Sequence, residues 1–77
     1  MMKKLQRLKS RLQAAGLDVS DIMLNIQGEA VPGLRIDTDC EGPYPPKETF
    51  QKLEAVRKIA KGHNIEKRGY YVSVFVW

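Results

Sequence analysis

The sequence predicts a small α+β domain in which two helices pack on one face of a mixed three-stranded sheet. Two observations lead to this fold class. Apolar residues recur at helical spacing in two segments and follow strand-like patterns in three others, in the order α-β-β-α-β. The 77 residues are 43% hydrophobic and 29% charged, which is typical of a globular chain with room for one core. We therefore expect a single domain over residues 1–77.

The first element is an amphipathic helix over residues 2–15. Its apolar stripe consists of Leu5, Leu8, Leu12 and Ala15. Gly16 follows at the position where a left-handed residue commonly ends a helix. At 100° per residue, Lys4, Arg7 and Arg11 form a strip beside the apolar stripe, and the helix contains no acidic residue. The helix therefore presents an uncompensated positive surface.

A β-hairpin is predicted over residues 21–39, with its turn in "GEAVPG". Alternation with a period of two divides each strand between two faces. The face expected to meet the helices carries Ile22, Leu24, Ile26, Leu34 and Ile36. The opposite face carries Met23, Asn25, Gln27, Arg35, Asp37 and Asp39.

A second helix over residues 46–61 and a strand over residues 68–77 complete the fold. Pro46 suits the first turn of a helix, and Gly62 ends it. The inward stripe of this helix is Phe50, Leu53, Val56, Ile59 and Ala60. The strand has Val72, Val74 and Val76 on one face and Tyr71, Ser73, Phe75 and Trp77 on the other. Because a helix connects the second strand to this one, we expect the two strands to be parallel with a right-handed crossover.

Charge is segregated along the chain, although the net charge of +4 is modest. Residues 1–17 contain five basic residues and no acid, and residues 47–77 contain seven basic residues against three acids. Residues 18–46 between them contain six acids against one arginine. Both predicted helices are therefore basic, and the hairpin between them is acidic.

Several protein classes are disfavoured by the composition. Cys40 is the single cysteine, so neither an intramolecular disulfide nor a cysteine zinc cluster can form, which is typical of a reducing cytoplasmic setting. The start "MMKKLQRLKSRLQ" lacks the apolar core of a signal peptide. The longest apolar run, "YYVSVFVW", is too short to span a bilayer as a helix. We therefore expect a cytoplasmic protein that does not bind membranes.

The stretch "DTDCEGPYPPKE", residues 37–48, nearly matches the spacing of a calcium-binding loop. The side-chain ligands would be Asp37, Asp39, Glu41 and Glu48. However, three prolines stiffen the loop, and a predicted strand rather than a helix enters it. In the simpler interpretation the two aspartates lie on the outward side of a strand, and the last glutamate favours a helix N-terminus. We favour that interpretation, and we predict neither a metal site nor a cofactor.

Catalysis has little support in the sequence. His63 is the single histidine and follows a predicted helix end, where a capping or solvated role is typical. No serine or cysteine is placed by spacing to act as its nucleophile. We therefore predict that the chain is not an enzyme.

A small binding module is the favoured interpretation, and RNA or single-stranded DNA is the favoured ligand. Cations would neutralise phosphates, while aromatic side chains on an open sheet face would stack on unpaired bases. The residues expected to do this are Lys4, Arg7, Arg11, Lys58, Lys61, Lys67, Arg68, Tyr71, Phe75 and Trp77.

The alternative is a small protein-binding inhibitor or adaptor that uses the same open sheet face. Exposed aromatic rows usually mark interfaces, and segregated charge suits a partner with complementary patches. Small domains without catalytic residues include inhibitors encoded by phages or mobile elements that act on a host or defence complex, and this is an expectation for the class rather than a motif in this chain. The partner would be such a complex or, in a homodimer formed through the open sheet face, a second copy.

Overall fold

The computed structural model describes residues 3–38, 46–69 and 73–77. They form two helices and four strands. In chain order these are α1 (Lys3–Ala14), β1 (Asp18–Ile26), β2 (Glu29–Asp37), α2 (Lys47–Ile59), β3 (Ile65–Arg68) and β4 (Ser73–Val76). The α+β class and the two helices are confirmed, whereas the expected three-stranded sheet is wrong.

The four strands form one sheet in the order β1-β2-β4-β3, and every neighbouring pair is antiparallel. The predicted parallel pairing of the second strand with the last is therefore wrong. The additional strand, β3, consists of "IEKR", which has no apolar alternation to announce it. Since β2 and β3 both run antiparallel to β4, they run parallel to each other with β4 inserted between them.

The hairpin turn lies at Gln27 and Gly28, earlier than the centre of the predicted "GEAVPG" turn. Both residues have positive φ, 50° and 84°, as a two-residue type I′ turn requires. The rest of that sequence, including Pro32, belongs to β2. Proline is tolerated there because β4 pairs only with residues 34–37 of β2, so the missing N–H removes no bond to β4.

The predicted inward face of β1 is also wrong. The register pairs Val19 with Ile36 in the core, and it places Ile22 and Leu24 on the opposite side of the sheet, away from the helices. Leu24 is nevertheless buried, because it packs over Gly33 of β2. A glycine on the neighbouring strand therefore makes room for an apolar side chain on the face that has no helices.

The core lies between the two helices and the other face of the sheet. Its members are Leu8, Leu12, Leu17, Val19, Leu34, Ile36, Leu53, Val56, Ala60, Val74 and Val76. The predicted inward residues of β2 and β4 that the structure describes belong to this set. Met23 also lies on the helix side of β1, but it is 61% exposed. Neither helix has the length and apolar character needed to cross a membrane.

Candidate functional site

The basic residues of α1 meet the end of α2 in a concave pocket of about 240 Å³. The pocket has an apolar floor formed by Leu8 and Ile59. Its rim is formed by Lys4, Arg7, Arg11, Lys61 and His63, which we call the helix-junction cluster. The structure thus brings together the basic strip of the first helix and one residue of the second predicted basic group.

Local backbone structure explains how two separate segments supply this cluster. Lys4 and Arg11 flank Leu8 on α1 at four- and three-residue spacing, so all three share one side of the helix. After α2 the chain turns tightly, because the His63 amide donates to the Ala60 carbonyl at 3.0 Å. Cations at this end of α2 are also favoured by the negative helix terminus.

The helix-junction cluster is positively charged, and no described carboxylate compensates it. None of its five side chains forms an ion pair with a carboxylate of the described residues. By contrast, Lys9 on the same helix is paired with Asp21 of β1, with 2.8 Å between its Nζ and the carboxylate oxygen Oδ2. Arg7 and Arg11 are exposed, so their guanidinium groups are available to an anion in solvent.

The remaining predicted cations do not line this pocket. Lys58 is exposed on α2, and Lys67 lines a different pocket between α2 and β3. Arg68 lies on the face of the sheet that has no helices, because it is opposite Ser73 in the register. The second predicted basic group is therefore divided among several places on the surface.

The helix-free face of the sheet holds a shallow groove of about 410 Å³ around Phe75. The lining residues are Ile22, Arg35, Arg68, Gly69, Ser73 and Phe75, and we call this the sheet-face groove. Arg35 donates from Nε to the Ser73 hydroxyl at 3.3 Å. The Arg68 guanidinium carbon lies 4.8 Å from the centre of the Phe75 ring.

The predicted aromatic row is not an open stacking platform. Phe75 is only 8% exposed, and Arg68 covers its ring while donating two hydrogen bonds of 3.2 Å to Glu66. Trp77 is half-buried at the end of β4, where its backbone exchanges hydrogen bonds with Asn64. Tyr71 lies outside the described residues. The row therefore contributes one covered ring and one partly exposed ring.

The predicted binding residues include neither His63 of the helix-junction cluster nor Arg35 of the sheet-face groove. His63 follows a helix end, which indicates only a capping or solvated group, and Arg35 lies on the outward face of a strand without a predicted role. The outward position of Arg35 is the available signal for the groove. No sequence pattern indicates that His63 returns to α1, since this depends on how the two helices pack.

The candidate calcium loop is only partly described. Asp37 is half-buried at the end of β2 and Glu48 is exposed in the first turn of α2, while Asp39 and Glu41 lie outside the described residues. Within residues 3–38, 46–69 and 73–77, no three histidine, cysteine, aspartate or glutamate residues are grouped so that they could hold a metal ion.

Comparisons with protein-family models, curated proteins and solved structures find no significant match to this chain.

Proposed function

We propose that this chain binds the phosphate backbone of RNA or single-stranded DNA through the helix-junction cluster. One observation carries the proposal. Five cationic or protonatable side chains from two elements converge on one pocket, and no described carboxylate pairs with them. Releasing the counterions of the bound phosphates would supply the binding free energy.

The concave shape of the pocket favours a flexible strand. A single strand can bend a phosphate into a recess between two helices, whereas a rigid duplex presents its phosphates along a regular surface. Phe75 and the helix-junction cluster lie on opposite faces of the sheet. Base stacking on Phe75 therefore does not accompany phosphate binding, and we expect little preference among base sequences.

The test is fluorescence anisotropy with labelled poly(U) and poly(dT) over a series of salt concentrations. Replacing Arg7 or Arg11 with alanine should weaken binding of both ligands by about 1 kcal/mol, roughly fivefold. The salt slope should fall by about 0.7 for each phosphate that the variant no longer neutralises. Lys58→Ala is the matched control, since it removes the same charge from an exposed helix position outside the pocket.

Two results would contradict the proposal. If neither polymer binds at low salt, the chain is not a nucleic-acid-binding protein of this kind. If Lys58→Ala weakens binding as much as Arg7→Ala, the interaction depends on net charge and the helix-junction cluster is not the site.

The second candidate function is protein binding by an inhibitor or adaptor, and the sheet-face groove favours it. Arginine and aromatic residues around an apolar centre are the composition of interface hot spots. Arg35 and Arg68 flank the Phe75 ring, and Ile22 extends the apolar floor onto β1. A partner with a carboxylate beside an apolar side chain would match this arrangement.

The two candidates are separated by paired variants. Arg35→Ala should abolish capture of a protein complex and leave nucleic-acid affinity unchanged if the groove is the functional surface. Arg7→Ala should have the opposite effect if the helix-junction cluster is the functional surface. The same wild-type chain is the reference for both measurements, because Arg7 and Arg35 are exposed on different faces.

A further inference from the structure

The outer edge of β1 is long, regular and poorly protected. β1 has nine residues in unbroken register with β2 and contains neither proline nor a basic residue. The strand at the other edge, β3, has only four residues, three of them charged. Proteins normally protect exposed edges with short strands, charged side chains, prolines or bulges. Of these features β1 has only two acids, Asp18 and Asp21, and both lie in its first half.

Some backbone N–H and C=O groups of β1 point away from β2 and have no partner strand. In the two-residue turn, the residues on either side, Ile26 and Glu29, form a hydrogen-bonded pair. Because hydrogen-bonded and non-hydrogen-bonded pairs alternate in an antiparallel ladder, the even-numbered residues of β1 bond to β2. The backbone N–H and C=O groups that point outward belong to Val19, Asp21, Met23 and Asn25.

We infer that this edge pairs antiparallel with β1 of a second copy of the chain, about a two-fold axis close to Ile22. In this register Asp21 lies opposite Met23 of the second copy, and Val19 lies opposite Asn25. All outward backbone groups of these residues then have partners, as a buried edge requires. The exposed Met23 side chain also becomes covered by the second copy.

The distribution of charge in β1 is the reason that a second copy fits. Both acids of the strand, Asp18 and Asp21, lie in its first half, and the second half is uncharged. Antiparallel pairing about Ile22 therefore places each acid opposite an uncharged residue, with Asp18 opposite Ile26. An axis at Asp21 would instead place two carboxylates directly opposite each other, which is unfavourable.

Such a dimer has a two-fold axis perpendicular to a continuous sheet, so the helices of both copies lie on the same side. α1 contacts both β1 and β2, and its Lys9 bonds to Asp21 on the helix side of β1. The interface lies at the strand edge rather than on the open sheet face. It places Ile22, one lining residue of the sheet-face groove, beside Ile22 of the second copy, and it uses no residue of the helix-junction cluster. The inference does not depend on nucleic-acid binding.

The first test is sedimentation and amide hydrogen exchange of the wild-type chain from micromolar to millimolar concentration. We expect a dimer mass, and we expect protection of the Val19, Asp21, Met23 and Asn25 amides that increases with concentration. A monomer at every concentration, or fast exchange of these four amides in a dimer, would overturn the inference.

The second test uses Met23→Pro and its matched control Met23→Ala. Proline removes an outward N–H that is not bonded to β2, so the variant should be a folded monomer, whereas the alanine variant keeps the N–H and should remain dimeric. A folded Met23→Pro dimer would locate the interface elsewhere and overturn the inference. Should the proline variant not fold, the exchange measurement on the wild type decides alone.

Discussion

Gly33 of β2 occupies a position where a side chain has no space. A Cβ atom there would lie 2.7 Å from Leu24 Cδ1 and 2.8 Å from the Val76 carbonyl oxygen. The leucine side chain can move, but the carbonyl belongs to the β4 backbone and cannot move without disturbing the ladder. The glycine thus allows Leu24 to pack across the sheet.

Replacing Gly33 with alanine should therefore lower the free energy of unfolding by about 1–3 kcal/mol, as expected for overpacking. Urea denaturation measures this change. The double variant Leu24→Ala/Gly33→Ala should cost less than the sum of the two single changes, because the shortened side chain relieves part of the crowding. Additive costs would show that the leucine contact is not responsible.

Thr49 of α2 has a buried hydroxyl without a hydrogen-bond partner in the described part of the chain. The residue is 1% exposed, and its Oγ1 is shielded from water. Thr49→Val should therefore raise the free energy of unfolding by about 1 kcal/mol, since it removes the unpaired hydroxyl. Thr49→Ser keeps the hydroxyl, removes a methyl group and should destabilise. A destabilising valine would show that the hydroxyl has a partner.

At the scale of elements, Asp21 connects β1 to α1. Its carboxylate accepts hydrogen bonds from Lys9 Nζ at 2.8 Å and Gln6 Nε2 at 3.2 Å. The hydrogen bond from Lys9, followed by that from Gln6, lowers the pKa of Asp21 below its ordinary value. The unfolded chain therefore binds a proton at this carboxyl more readily than the folded chain, so the stabilisation present at neutral pH is lost as the pH falls through the folded pKa.

Asp21→Asn should lower the melting temperature at neutral pH, and the difference from wild type should disappear in acid. Thermal unfolding followed by circular dichroism over a pH series measures this effect. Glu29→Gln is the control, because it removes one negative charge from the same hairpin at an exposed position opposite Ile26, where it forms no ion pair with described residues. If the melting temperatures of Asp21→Asn and wild type still differ in acid, the ionised Asp21 carboxylate is not the source of the stabilisation.

One substitution in the turn between β1 and β2 should increase the free energy of unfolding. Gln27 has a φ of 50°, a region in which asparagine is more easily accommodated, and Asn-Gly is the preferred type I′ pair. Gln27→Asn should therefore stabilise the protein by up to about 1 kcal/mol in urea denaturation. Gln27→Ala should give no such gain, and equal effects of the two variants would contradict this explanation.

Helices were easier to predict than strands for a physical reason. Most members of the apolar stripes of α1 and α2 face one core, so their period is visible in the sequence. Phe50 was predicted to face inward, but it is 52% exposed. In β1 only Val19 joins that core, while Ile22, Leu24 and Ile26 lie on the opposite face, so the majority of apolar residues indicates the wrong side. β3 is held by pairing with β4, and this pairing leaves no periodic signal.

At the scale of the whole molecule, the sheet separates the basic residues of the helices from Phe75, although the sequence predicts that they form one binding site. The prediction that Arg7 and Arg11 form a basic strip follows from helical periodicity, and both residues lie in the helix-junction cluster. Whether Phe75 shares that surface depends on strand register and on which face the helices cover, and neither is encoded locally. Arg68 and Lys67 are neighbours in sequence but lie on opposite faces for the same reason.

The described part of the chain should unfold in one cooperative transition. β4 pairs with both β2 and β3, and its Val74 and Val76 belong to the core that the helices cover. Val76→Ala should cost about 2 kcal/mol, a large part of the roughly 4–12 kcal/mol expected for a chain of this size. Far-UV circular dichroism reports the helices, and fluorescence of Trp77, the single tryptophan, reports the sheet. The two transitions should coincide in wild type and variant. Separate transitions would show that the helices and the sheet unfold independently.

The insertion of β4 between β2 and β3 also determines the order in which the fold can assemble. A nascent chain that has emerged only as far as β3 can form the first hairpin and both helices, but it leaves a gap in the sheet where β4 belongs. The edge of β2 that pairs with β4 and the apolar sides of α1 and α2 then remain exposed to water, because Val74 and Val76 are not yet available to pack against them. Closure of the sheet therefore requires β4, the last described strand in chain order, and before it the exposed apolar surface is open to chaperones and proteases.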